Sequence, residues 1–316
     1  MAILKDIAQA ASLLKEGGVV GMPTETVYGL AGNALDVQAV ARIFEAKNRP
    51  SFDPLIVHVA HVDAAAQVGQ LNATAKALLK AFSPGPITVI VPKNSSIPDL
   101  VTSGHPTVGI RIPNHPTALA LLDQLDFPLA APSANPFGYT SPTTAEHVEE
   151  QLGNAIAGVL DGGPCAVGLE STIVDCTAEQ PVVLRLGGVP REAIEAELGA
   201  RVKTKTSSSN PTAPGMLSSH YNPGVPVRLF EDRAALEAEL SKDAAGVGVL
   251  YAGSELPHQP ALNLSASGNL AEVAAKLFGA LRSIKKEKIT RIYVHKVQEE
   301  GLGRAINDRL LRASVQ

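Results

Sequence analysis

Two permanent cations, Lys47 and Arg49, stand two residues apart where an amphipathic stretch meets a proline, in Phe44-Glu45-Ala46-Lys47-Asn48-Arg49-Pro50. At a helix C-terminus they complement the helix dipole, worth about a few tenths of a kcal/mol. They serve equally to meet an anion, Arg as a rigid fork and Lys as a point charge. Arg111 lies inside an apolar run, Val108-Gly109-Ile110-Arg111-Ile112-Pro113. A buried guanidinium demands an anionic partner, so it belongs to a structural ion pair or receives a carboxylate. His58, within Leu55 to Val59, is either a satisfied core histidine or a ligand contact. Ser133-Ala134-Asn135 follows a predicted strand and is flanked by prolines. Such groups either contact a ligand outside a strand end or close an ordinary turn. Gly162-Gly163-Pro164 and Gly168-Leu169-Glu170-Ser171-Thr172 permit close backbone approach to an anion, or form a hairpin. There is no GxxxxGK[ST], no GxGxxG after a strand, no HExxH and no GxSxG, so phosphates would need a different loop.

The elements that must hold these residues are short. Residues 3–16 place Ile3, Ile7, Ala11 and Leu14 at helical spacing, and Gly17-Gly18 stops the helix. Val19 to Met22 reads as a buried strand. Pro23-Thr24-Glu25-Thr26-Val27-Tyr28-Gly29-Leu30 is too polar for a core strand and too apolar for a solvated loop. Asp36 caps the helix whose face is Val37, Val40, Ile43 and Phe44, and Leu55 to Val59 is the next strand. Further strands are expected at 87–91, 107–112, 128–131, 158–161, 171–175 and 182–185, with helices between several of them. Thr143 and Glu146 make a capping box for one of these helices. Short strands mixed with helices argue for an α/β or α+β sheet, without a clean βαβ alternation. From 203 to 226 the composition turns to Ser, Thr, Pro and Gly and periodicity is lost, which reads as an interdomain linker. Its Pro214-Gly215-Met216 and His220-Tyr221-Asn222-Pro223 suit a segment that folds over a pocket. Residues 227–316 alternate strand and helix cleanly, as a small Rossmann-like α/β domain. The expected division is thus 1–202, 203–226 and 227–316.

Composition narrows the function classes. The 316 residues are 45% hydrophobic and 18% charged, as in ordinary globular proteins, with 4% aromatics and no Trp. A net charge of −4 argues against a protein that coats nucleic acid, so RNA contact is expected to be local or transient. Cys165 and Cys176 stand in no metal-type spacing and read as buried small hydrophobes in a reducing compartment. No signal-peptide pattern or membrane-length apolar run occurs, so a cytoplasmic protein without membrane contact is expected.

Taken in order, PTETVYGL, KNRPSFDPLIVHV, SPGPIT, SANPFGYTSPT, GLESTIVD and PGMLSSHYNP resemble the YrdC-type threonylcarbamoyl-AMP synthases in their two-domain form. The resemblance spans nearly the whole chain. It implies a twisted mixed sheet with helices, followed by the smaller C-terminal domain. It implies synthesis of threonylcarbamoyl-AMP and pyrophosphate from L-threonine, bicarbonate and ATP with Mg2+, by a nucleotidyltransferase. The product would pass to a downstream threonylcarbamoyl transferase machinery that modifies tRNA. Lys47, Arg49, Ser133 and Asn135 match the family's KxR…SxN signature facing the nucleotide phosphates, with Lys47 and Arg49 as the catalytic cations. Thr107, Ser141, Arg185 and Asn222 match further ATP-contacting positions. Asp53 stands where Asn is common, and is placed near the phosphates directly or through magnesium; no side chain is assigned as a metal ligand. Thr26, His58, Arg111 and Ser171 match threonine-holding positions, with Arg111 facing the carboxylate, and Tyr221 lies in the closing linker. Phe137 replaces a small residue after SANP, and Leu217-Ser218-Ser219 replaces a stretch where Lys is frequent.

Two other readings compete. An RNA-binding or regulatory module on the same fold would use Arg282, Lys285, Lys286, Lys288 and Arg291, but these also fit a solvated helix end. A carbamoyl-adenylating enzyme of the hydrogenase-maturation type would show an acylphosphatase domain and CxxC motifs, which this sequence lacks.

Overall fold

A computed structural model describes residues 3–207, 212–217 and 220–315. Residues 208–211 and Ser218-Ser219 of the expected linker lie outside the described residues. The chain forms two compact units, residues 1–137, 142–166 and 170–217 in the first and 138–141, 167–169 and 218–316 in the second.

The first unit is built on one mixed sheet. Its strands are β1 (Ile3–Leu4), β2 (Val20–Met22), β3 (Gly29–Asn33), β4 (Ile56–His58), β5 (Ile87–Pro92), β6 (Thr107–Arg111), β7 (Leu129–Ala130), β8 (Gly158–Leu160), β9 (Thr172–Asp175), β10 (Val182–Arg185) and β11 (Lys203–Thr204). Their order is β1-β8-β2-β3-β7-β4-β6-β5-β9-β10-β11. In the centre β4 runs parallel to β6 and antiparallel to β7, and β5 runs antiparallel to β6 and parallel to β9. Period-2 alternation sorts the central strands into two faces. Val57, Val89, Val91, Val108, Ile110 and Val174 enter the main core on one face. Ile56 and His58, Thr88 and Ile90, Thr107, Gly109 and Arg111, and Ile173 take the other.

Three local expectations shift. The first helix, α1, begins at Ile7 and ends at Lys15, because the Asp6 side chain accepts from the Ala8 N–H and caps it. Ile3 and Leu4 instead pair in parallel with Val159 and Leu160. The capping residue of the helix Ala145–Leu152 is Thr144, not Thr143, whose own N–H lies 3.3 Å from His147 Nδ1. The linker is not structureless at its start, since Lys203 and Thr204 pair in parallel with Val182 and Val183 at the open sheet edge. Farther along, Ala213 and Met216 are buried against Ile56, Ile90, Ile173 and Leu184.

The second unit carries an all-parallel sheet in the order β12-β15-β13-β14, with β12 (Val227–Phe230), β13 (Val247–Ala252), β14 (Ala261–Ser265) and β15 (Arg291–His295). All-parallel pairing requires crossover connections: the helices Arg233–Leu240 and Leu270–Ser283 lie in those after β12 and β14, while residues 253–260 join β13 to β14 without a helix. Among the described residues no helix is long and apolar enough to cross a membrane.

Candidate functional site

Lys47 ends α2 (Val37–Lys47), which Asp36 caps by accepting from the Gln38 N–H. Asn48 then adopts a left-handed backbone (φ 49°), which terminates the helix and sends Arg49 off in a new direction. Lys47 is 1% exposed, and its ammonium donates to the carbonyls of Ser133 (2.5 Å) and Asn135. The SAN segment is held in turn by the Ala134 N–H donating to the Tyr28 carbonyl and the Phe137 N–H donating to the Lys47 carbonyl. Ser133 and Asn135 therefore meet Lys47 through backbone carbonyls, while the Asn135 amide nitrogen donates to the Pro136 carbonyl.

Arg49 folds back on its own loop. Its Nε and Nη2 donate to the carbonyls of Asp53 and Pro54, each at 2.9 Å, and Nη2 lies 3.0 Å from Asp53 Oδ2. The other carboxylate oxygen, Asp53 Oδ1, is buried with no hydrogen-bond partner. Burial pushes the Asp53 carboxyl up, against the pull of Arg49, Lys47 and Arg185. Burial also holds Lys47 well below the ordinary lysine range, with Arg49 adding to it and Asp53 opposing. Three buried cations around one carboxylate leave a local excess of positive charge, and an arriving anion would raise the Lys47 pKa again. Such an excess attracts anions.

Arg185, at the end of β10, donates from Nη2 to Ser171 Oγ (2.9 Å) and from Nε to the Ser171 carbonyl (3.0 Å). Ser171 Oγ is also 2.7 Å from Thr88 Oγ1. Pro54, Thr88, Thr107, Gly109, Thr212 and Pro214 surround a void of about 10 Å³ on the same sheet face. Residues 212–217 thus already sit on that face.

His58 and Arg111 are direct neighbours in the parallel β4–β6 register. His58 is buried, with Nδ1 3.3 Å from the Ile56 carbonyl, and its pKa falls to about 3 through burial first and the Arg111 charge second. It is a neutral imidazole. Arg111 Nη2 lies 2.7 Å from Glu25 Oε1. Thr26 is fully buried, its hydroxyl 2.9 Å from that of Thr24. The structure thus assembles Lys47, Arg49, Asp53, Ser133 and Asn135; Ser171 with Arg185; and His58 with Arg111. Ser141, Tyr221 and Asn222 belong to the second unit. There Arg282 donates to the Thr140 and Ser141 carbonyls, Asn222 N–H donates to the Gly138 carbonyl (2.9 Å), and Tyr221 stacks on Phe278 with centroids 5.3 Å apart.

Glu25, Thr24, Thr88 and Tyr28 were absent from the sequence-based site. The signal for three of them was the intermediate polarity of Pro23 to Leu30. Tyr28 also resolves the Gly162-Gly163 alternatives, because its hydroxyl donates to the Gly163 carbonyl (2.8 Å) and accepts from the Gly162 N–H. That turn serves packing. Cys165 and Cys176 are free and buried, and burial raises each thiol pKa to about 12, which leaves them unreactive. Of the five basic residues at 282–291, Arg282 is buried on carbonyls, Lys285 bonds the Tyr139 hydroxyl and Arg291 pairs with Asp243. That leaves little for a nucleic-acid surface. Among the described residues no three His, Cys, Asp or Glu side chains converge as a metal site.

The Sua5–YciO–YrdC family, described as telomere recombination, matches residues 12–187, and a domain described as the threonylcarbamoyl-AMP synthase C-terminal domain matches 189–315. The threonylcarbamoyl-AMP synthase of Bacillus subtilis is 43% identical over 320 residues, covering 98% of this chain and 92% of its own. That of Pyrococcus abyssi is 40% identical, covering 96% and 93%. A crystal structure of P. abyssi Sua5 complexed with L-threonine superposes with a TM-score of 0.91 at 38% identity, over 98% of this chain and 94% of that one.

Proposed function

Because this chain belongs to the threonylcarbamoyl-AMP synthase family, we propose that it is a nucleotidyltransferase joining L-threonine, bicarbonate and ATP into threonylcarbamoyl-AMP, with release of pyrophosphate. The observation that carries the reading is the buried positive excess of Lys47, Arg49 and Arg185 around Asp53, together with the buried His58–Arg111 pair on β4 and β6.

Lys47 and Arg49 take the nucleotide phosphates, with Ser133 and Asn135 holding Lys47 in place and Thr107 at the edge of the pocket. Arg111 takes the threonine carboxylate. Neutral His58, Thr26 and Ser171 complete that subsite, and Arg185 orients Ser171 and adds charge toward the phosphates. Residues 212–217 cover the face. In the reaction the threonine nitrogen bonds to the carbon of bicarbonate to give a carbamate. A carbamate oxygen then attacks the α-phosphorus, and pyrophosphate leaves. Both steps crowd negative charge, so the protein contributes positioning and fixed positive charge more than a proton shuttle.

Magnesium keeps most of its waters and binds through phosphates plus one or two carboxylates. Asp53 Oδ1, buried and unpartnered beside the cations, is a fitting single ligand for an ion carried on ATP. Such an ion would neutralise phosphate charge. The product, an activated carbamoyl adenylate, would serve a transferase that modifies tRNA in the cytoplasm. An RNA-binding module without synthase activity is not favoured.

The purified protein with ATP, bicarbonate and magnesium should release pyrophosphate only when L-threonine is added. Release at the same rate without threonine would overturn the assignment.

A further inference from the structure

Glu25 is 6% exposed, lies in the loop between β2 and β3, and has no place in the scheme above. Neither of its carboxylate oxygens makes a hydrogen bond, and neither do Arg111 Nε and Nη2. Glu25 Oε1 and Arg111 Nη2 are 2.7 Å apart, so the two charges touch without the alignment that would satisfy them. A buried charged group left unsatisfied is costly, and a structural ion pair would close these bonds on itself. This one leaves them open. Nε and Nη2 form one edge of the guanidinium, the edge that receives a carboxylate through two parallel bonds. Glu25 Oε1 stands 2.7 Å from that edge at Nη2, and Oε2 makes no hydrogen bond. A carboxylate and a guanidinium, both buried and touching without a hydrogen bond between them, match the two ends of an α-amino acid zwitterion.

We propose that Glu25 receives the α-ammonium group of the amino acid while Arg111 receives its carboxylate, and that Glu25 takes up the proton the nitrogen must lose. This rests on the reading that the site binds L-threonine. The nitrogen–carbon bond to bicarbonate forms as a carbon–oxygen bond of bicarbonate breaks. Of the two protons that leave the ammonium, one departs with the hydroxide as water and the other passes to the Glu25 carboxylate. The carbamate remains as an anion for the second step. Glu25 is thereby a catalytic residue of the first step. Besides Arg111, the titratable groups that feel its charge are His115 and Cys165.

Binding separates this from a mere counter-ion to Arg111. The ligands are L-threonine and 3-hydroxybutyrate, which keeps the carboxylate and hydroxyl but lacks the ammonium. Calorimetry on the wild-type full chain should show threonine bound at least about tenfold tighter than 3-hydroxybutyrate. Comparable affinities would overturn the proposal with no variant needed. Threonine failing to bind at all would instead overturn the substrate reading beneath it. In E25Q, threonine affinity should fall about 10- to 100-fold while 3-hydroxybutyrate binds as in wild type or better. Threonine-dependent pyrophosphate release should remain low in E25Q at saturating threonine and return in part with E25D. Equal losses for both ligands in E25Q would show a counter-ion only, and unchanged threonine affinity would remove Glu25 from the site.

Discussion

Arg111 is buried, its Nη2 touches Glu25 Oε1 at 2.7 Å, and neither its Nε nor its Nη2 makes a hydrogen bond. Removing it should be felt twice. Arg111→Ala leaves Glu25 buried without its counter-charge, expected to cost about 3–5 kcal/mol of stability, read by chemical denaturation. It should also raise the threonine concentration needed for half-maximal pyrophosphate release about 100-fold; an unchanged threonine dependence would remove Arg111 from that subsite. His58 makes a pH prediction with a definite sign. Its ordinary value of 6.5 drops to about 3 in the fold, through burial and then Arg111, with the Ile56 carbonyl opposing. Above pH 6.5 both states are neutral and nothing is lost. As pH falls from 6.5 toward 3 the unfolded chain binds a proton that the folded chain refuses. Stability should therefore decline by up to about 1.4 kcal/mol per pH unit from this site. His58→Asn should flatten the midpoint-versus-pH curve over that window, and an unaltered slope would contradict the burial cause.

The strand is the element that turns residue chemistry into a site. In β4 and β6, alternate residues serve the main core and the intervening ones take the opposite face, so Val57 packs while His58 lies across from it, and Ile110 packs while Arg111 lies beside His58. Gly109 lies on that opposite face of β6. An added Cβ there would stand 3.2 Å from Thr88 Cγ2 and 3.6 Å from Ile56 Cγ1. Gly109→Val should thus fill the space that the proposed function gives to the ligands. We expect about 1–3 kcal/mol of destabilisation from crowding, together with loss of threonine and nucleotide binding by calorimetry. Retained binding would place the ligands elsewhere on the sheet. The αL conformation of Asn48 does comparable work for α2, because it is what allows Lys47 to close on the SAN carbonyls while Arg49 turns to the Asp53 loop. Neither motif spacing nor periodicity carries that turn.

At the scale of the whole chain, the two compact units are interleaved in sequence. Residues 138–141 and 167–169 group with 218–316, although they lie between segments of the first unit. Gly168 has φ 72°, and a Cβ there would come within 2.4 Å of the Ala274 carbonyl, so only glycine fits against the helix Leu270–Ser283. Thr140 gives its hydroxyl hydrogen to the Tyr221 carbonyl at 3.0 Å. A chain ending at residue 217 should consequently fold its sheet but lose the partners of these two segments. Amide hydrogen exchange at 138–141 and 167–169 should run at least about tenfold faster in the fragment than in the full chain. Identical protection would mean the segments are held by the first unit alone.

Sequence by itself determined the class of elements and the ordered motif set that marks the family, because those properties are carried by residue type and local spacing. Asp36 as a cap and the core face of α2 were legible for the same reason. Tertiary structure alone decided which polar groups meet. Glu25 and Arg111 are 86 positions apart, and Lys47 is the same distance from Ser133. A charge's partner and its desolvation are set by neighbours that strand order brings together, and no local pattern encodes that order. The same holds for Tyr28, which claims the Gly162-Gly163 turn that the sequence left open between a hairpin and anion binding; β8 and β9 are not sheet neighbours, so no hairpin forms there.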